Sequence, residues 1–395
     1  MTKPPDLETR LVHYKEYRQQ SKGAVVAPIY QNSLFTFEDW EAIDTAFDDR
    51  DNSNIYTRVR NPTVHQVEEK LAMLAGAERA RLFGSGIGAV TAAMVHFLEP
   101  GDHVIAVKNC YGPTNNLLNR FLRTKMHIDT TFVAGEQVSD FEEAINERTK
   151  VIYLESPSSA IFTLQNISAV SELAKSRGIK TLIDNSWATP IFQQPLKMGV
   201  DLEIHSCSKY LGGHSDIIAG VVMGSDKDIL EMCENSYEFF GAKMAPFEAF
   251  LLQRSLRTLP MRLKQHQENA MLVAEFLQTH TAIKQVRYPG LPGFPQAELA
   301  KKQMTGYSGL MSFELKTQQL RKIKRFFNSL QYFQIGVSWG GHESLVYAPA
   351  ISYLKELPAE QFAALGISLG DIRISVGLES AKDLIADLSQ ALKEI

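Results

Sequence analysis

From about residue 80 the chain takes on a regular rhythm. Seven short apolar runs, ARLF, HVIAV, IDTTFV, KVIYLE, KTLID, LEIHS and IIAGVVMG, alternate with helix-length segments. That alternation predicts a mostly parallel seven-stranded sheet with helices on both faces. Sheets of this kind bind ligands beyond the carboxyl ends of their strands, so the polar residues that follow each run are the candidates for chemistry. Upstream lie an amphipathic start, an extended VVAPIYQNSLF and a polar stretch ending in YTRVRNPT. A helix is predicted after Pro62, where Val64, Val67, Leu71 and Leu74 are spaced by three and four. Residues 245–279 read as a long helical stretch interrupted at Pro260. The runs KQVRYPG, GLMSFELK, QIGVSWGG and DIRISVGL, with helices between them, predict a smaller α+β unit. The expected organisation is an N-terminal arm (1–60), an α/β domain (61–256) and a C-terminal α+β domain (257–395).

Composition narrows the function classes. The 395 residues are 44% hydrophobic and 22% charged, enough to bury a large core. Lys plus Arg number 41 against 45 Asp plus Glu, a formal charge of -4. That balance argues against nucleic-acid binding, which needs a concentrated cationic excess. No apolar run approaches the ~20 residues that cross a bilayer, and the polar start MTKPPDLETR carries no signal-peptide core. The expected location is the cytoplasm, with no membrane partner. Cys110, Cys207 and Cys233 form no CxxC pair and read as inert reduced thiols.

Four local features carry chemistry. Phe83-Gly84-Ser85-Gly86-Ile87-Gly88-Ala89 joins the first strand to an apolar helix. Such a turn either packs helix on strand or offers an anion the free N–H groups of a helix start. Its glycine spacing does not fit a dinucleotide fingerprint. Asp184 ends the run KTLID, as a helix cap or as a carboxylate paired with a cation or protonated ring nitrogen. In Ser206-Cys207-Ser208-Lys209 the alternation puts Ser206 and Ser208 on one face. Lys209 is then either a solvated lysine or one of depressed pKa suited to a Schiff base. An acid, a lysine, a helix start and two hydroxyls on one sheet edge together suit pyridoxal phosphate. His214 has no metal-ligand company, and no metal site is expected.

The run LIDNSWATP…SCSKYLGGHSD, with YTRVRNPT upstream and SWGGHESL downstream, resembles the Cys/Met-metabolism family of pyridoxal-phosphate enzymes, from about Thr9 to the C-terminus. Within the family it is most similar to the bacterial cystathionine β-lyases. The resemblance implies a fold-type I pyridoxal-phosphate enzyme. It makes Lys209 the Schiff-base lysine and general base, and Asp184 the partner of the ring nitrogen. Tyr111 would stack on the cofactor and lower the proton affinity of Lys209. Gly86, Ile87, Ser206 and Ser208 would contact the phosphate. Tyr56 and Arg58 would reach it from a neighbouring subunit, within a homotetramer whose sites are shared across a dimer. Arg373 would hold the substrate α-carboxylate, with Ser338 and Trp339 beside it.

The resemblance also bears on the reaction. Trp339 after Ser338 matches the Ser-Trp-Gly-Gly of bacterial β-lyases, where γ-specific relatives usually have Leu. Pro113 stands where methionine γ-lyases have Cys, and Glu155-Ser156-Pro157-Ser158-Ser159 lacks the Asn common in γ-relatives. YTRVRNPT departs from this, being closer to the γ-lyase and synthase pattern. The expectation is cystathionine cleaved to homocysteine, pyruvate and ammonia, a step of methionine biosynthesis. The alternatives are a γ-lyase or synthase, a lyase of other cysteine S-conjugates, or an aminotransferase-like enzyme. A non-catalytic regulator would be expected to have lost Lys209 or Asp184, and both are present.

Overall fold

The computed structural model describes residues 5–159, 161–356 and 366–395. All seven apolar runs form strands: β1 (Arg79–Phe83), β2 (His103–Val107), β3 (Asp129–Val133), β4 (Thr149–Glu155), β5 (Lys180–Asp184), β6 (Leu202–Ser206) and β7 (Gly220–Gly224). They pair in one sheet in the order β1-β7-β6-β5-β4-β2-β3. The pairs among β2 to β6 are parallel. Every residue of β2 and β7 is buried, as expected of strands covered on both faces. β7 departs from the parallel pattern and runs antiparallel to both β1 and β6. The physical reason is its connection: residues 207–219 contain turns and no helix, whereas a parallel return is usually made through a helical crossover.

The C-terminal strands are β8 (Ile283–Arg287), β9 (Leu310–Leu315), β10 (Gln334–Ile335), β11 (Leu345–Tyr347) and β12 (Asp371–Ser375). They form a second sheet, ordered β10-β11-β12-β9-β8, antiparallel except between β10 and β11. The expected strand in QIGVSWGG shrinks to the two residues of β10, and β11 is a further strand the periodicity does not announce. The helical stretch 245–279 is two helices, Pro246–Leu256 and Leu259–Thr279. The break falls just before Pro260, which then occupies a first-turn position where its missing N–H leaves no bond unmade. The second helix joins the two halves. Its Leu259 and Leu263 belong to the apolar cluster under β1 and β7, whereas Ala270, Val273, Ala274 and Leu277 pack against the second sheet.

In the arm, helices Leu7–His13 and Trp40–Asp48 interrupt otherwise irregular chain. Leu11 of the arm is buried in one apolar cluster with Val67 and Leu71, and polar contacts add to this: buried Lys70 pairs with Glu16 and donates to the Leu11 carbonyl at 2.9 Å, and Arg257 reaches Glu16 at 2.9 Å. Among the described residues no helix is long and apolar enough to cross a membrane.

Candidate active site

The carboxyl ends of β4, β5 and β6 open into a cavity of about 540 Å³. Its other wall comes from the second sheet and the loop before β11, with Ser338, Trp339 and Arg373. Ten of the sequence-derived candidates line this one space: Gly86, Ile87, Tyr111, Asp184, Ser206, Ser208, Lys209, Ser338, Trp339 and Arg373. Tyr56 and Arg58 lie elsewhere, both exposed, with the Arg58 guanidinium 5.1 Å from the Tyr56 ring centroid.

The β1 turn is held at the cavity floor by close backbone packing. Ser85 caps the helix Gly86–Phe97, its hydroxyl accepting the Gly88 N–H at 3.0 Å. A Cβ on Gly86 would sit 2.9 Å from the Ser206 Cβ, so glycine lets the helix start lie against the end of β6. This cradle of helix N–H groups and the Ser206 and Ser208 side chains fits a phosphate. The Ser208 hydroxyl also accepts from the Ala219 N–H at 3.0 Å, which fixes it on the cavity wall.

Lys209 stands in the turn after β6, its Nζ donating to Ser338 Oγ at 2.8 Å and lying 5.4 Å from the Trp339 ring centroid. Burial, followed by the charge of Arg373, pushes its amine down to about 8, with Asp184 acting in the opposite sense. The depression expected of a Schiff-base lysine is therefore present, and burial and Arg373 are its sources. Gly340, at φ +82°, places the Ser338–Trp339 loop on the lysine's own backbone, since a Cβ there would come 2.9 Å from the Tyr210 nitrogen. Trp339 also stacks at 5.5 Å on the buried Tyr210. The indole thus both packs and walls the cavity.

Asp184 accepts the Ser186 N–H at 2.9 Å, a bond within a turn, while also lining the cavity; it does not cap the next helix, which begins at Thr189 after Ala188. Burial and the charges of Asp184 and Glu155 push the Tyr111 phenol upward, so it holds its proton at neutral pH. Arg373, on β12, donates to the Val337 carbonyl at 2.7 Å and stacks on Tyr347 at 5.1 Å. These contacts orient its guanidinium toward the same space.

Three cavity residues carry weight that their sequence positions did not announce. Glu155 ends β4 in register with Asp184 and is buried. Ser215 donates to Glu343 at 2.6 Å near the cavity mouth. For Glu155 the signal existed, because it ends an apolar strand as Asp184 does. His214 bonds the Gly212 carbonyl and Ser255, a structural role. The three cysteines are buried and their thiols pushed upward by burial, in keeping with inert side chains.

A lysine of depressed basicity, a nearby carboxylate and a phosphate cradle on the edge of this sheet define a fold-type I pyridoxal-phosphate enzyme. A cystathionine γ-synthase structure from Xanthomonas oryzae pv. oryzae, in complex with aminoacrylate and cysteine, superposes with TM-score 0.93 at 34% identity, covering 99% of both chains. Residues 8–393 match the family model described as Cys/Met metabolism PLP-dependent enzyme. The chain belongs to that family, and pyridoxal phosphate is its cofactor. An L-methionine γ-lyase of Porphyromonas gingivalis is 40% identical, over 98% of this chain and 97% of its own. A cystathionine β-lyase of Lactococcus lactis is 37% identical, over 98% and 99% respectively.

Proposed function

We propose that this enzyme is a carbon–sulfur β-lyase that converts cystathionine to homocysteine, pyruvate and ammonia. The observation that carries the proposal is the Ser338–Trp339 loop lying on Lys209, which walls the base with an indole. Bound pyridoxal phosphate supplies the electron sink that acidifies the substrate Cα–H. The protein supplies the rest. Arg373 takes the α-carboxylate in a two-point grip, which fixes Cα relative to Lys209. Lys209, with an amine brought near neutrality and aimed by Ser338, removes the α-proton. The same amine, now protonated, delivers a proton to the departing sulfur, so one group serves both ends of a β-elimination. Gly86, Ile87, Ser206 and Ser208 hold the phosphate, and Asp184 keeps the ring nitrogen protonated.

Tyr56 and Arg58, exposed and outside the cavity, suit a role in a neighbouring subunit's site. The proposed active unit is a homo-oligomer, a tetramer of two such dimers.

Identity to methionine γ-lyases at 40% favours a second reading, γ-elimination on the same scaffold. Product analysis separates the two. With cystathionine, the β-lyase yields pyruvate and homocysteine in equal amounts. A mixture dominated by 2-oxobutyrate and cysteine, or methanethiol release from methionine at a comparable rate, would establish the second reading instead.

A further inference from the structure

The carboxyl group of Glu155 sits between two loops that enter the cavity. Its Oε2 accepts the backbone N–H of Tyr111 at 2.7 Å, and its Oε1 accepts the Ser159 hydroxyl. The Ser159 N–H in turn reaches the Asn109 carbonyl at 3.2 Å. One side chain thus links the loop after β4 to the loop after β2, at the residue from which the Tyr111 ring projects. Tyr111 is itself 40% exposed, so packing alone does not fix its ring. A buried carboxyl in register with a second one is costly. Burial, followed by the charge of Asp184, pushes its titration upward. A leucine of similar size would avoid that cost, so a carboxyl here is accounted for by what it bonds.

We propose that Glu155 is a positioning residue of this active site, which fixes the Tyr111 backbone and thereby the tilt of the phenol over the cofactor ring. The proposal rests on Tyr111 stacking on the cofactor and is independent of which carbon–sulfur bond is broken.

The test uses the holoenzyme and the visible circular dichroism of its bound cofactor, normalised to cofactor content, since that signal reports ring orientation. Glu155→Leu should at least halve the signal and lower kcat/KM roughly tenfold or more, as expected for loss of a hydrogen bond to a charged or strongly polar group. Glu155→Gln, which keeps an acceptor for the Tyr111 N–H, should restore the signal to near wild type. In a Tyr111→Ala background, Glu155→Leu should have little further effect, because both changes act through one ring. A dichroism loss from Glu155→Leu that persists in full in that background would overturn the proposal. So would a Gln variant that loses half of the dichroism or more, a result that remains decisive if the Leu variant fails to fold. An unchanged signal in Tyr111→Ala alone would instead remove the stacking assignment, and the proposal with it.

Discussion

At the scale of single residues, Lys209 and Arg373 make the sharpest predictions. The amine of Lys209 is pushed down to about 8, so in the cofactor-free enzyme its neutral, nucleophilic form should rise through that pH. Acylation of Lys209, followed by mass spectrometry, should therefore reach half its maximal rate near pH 8 rather than near the value of an ordinary lysine. Arg373→Met, by removing a positive neighbour, should move that midpoint upward. Borohydride treatment of the holoenzyme should fix the cofactor to Lys209, and Lys209→Ala should lose nearly all turnover. Label on a different lysine would refute the assignment. Arg373→Lys keeps the charge but not the planar fork. The lost two-point bond is worth about 2–4 kcal/mol, or roughly 30- to 1000-fold in kcat/KM. The loss should be alike for all amino-acid substrates, and a change within about threefold would show that another group holds the carboxylate. Because the indole also packs, Trp339→Leu should lower the thermal midpoint, and it should in addition lower kcat/KM for cystathionine more than for a short S-alkyl cysteine. An equal loss for both substrates with a lowered midpoint would mark the indole as packing alone.

At the scale of elements, the site depends on how closely β7 lets the first turn approach. Gly220 opens β7 opposite both Phe83 and Ser206, and a Cβ there would lie 2.3 Å from the Ser85 carbonyl oxygen. Gly220→Ala should destabilise the protein by about 1–3 kcal/mol, the usual cost of overpacking. It should also speed cofactor loss, measurable by gel filtration of the holoenzyme. Most strands were legible because both faces of the sheet are covered there, which makes them continuous apolar runs, whereas β3, at the sheet edge, leaves Asp129 and Thr131 exposed. Asp184 and Lys209 stood out for the same reason, as charges placed where an apolar run stops. The antiparallel sense of β7 was not legible, since direction is set by the length and content of residues 207–219 and not by the strand. β11 escaped because three residues are too short for a period to repeat. The partnership of Glu155 with Asp184 was hidden for another reason: it depends on the register between β4 and β5, which start 31 residues apart, at Thr149 and Lys180.

At the scale of the whole molecule, the proposed sharing of sites between subunits can be tested on Tyr56 and Arg58, which are exposed and lie outside the cavity. If these residues complete a neighbour's site, co-assembling Lys209→Ala and Arg58→Ala chains should restore activity that neither homo-oligomer has. With random pairing half the dimers are hybrids carrying one intact site of two, so about a quarter of wild-type activity is expected. Absence of any recovery in verified hybrids, or full activity from a monomer, would refute shared sites.

The two walls of the cavity come from different sheets. The residues proposed to hold the cofactor and move the proton belong to the first, and Ser338, Trp339 and Arg373 belong to the second or its loops. In evolutionary terms this separates two inheritances. Substitutions on the second half can alter which sulfur compound is accepted while leaving the phosphate cradle and Asp184 on the first untouched, although those at Ser338 and Arg373 also act on the Lys209 amine. Relatives that share 37–40% of their residues with this chain and bear the names of different reactions are what such a division of labour would leave behind.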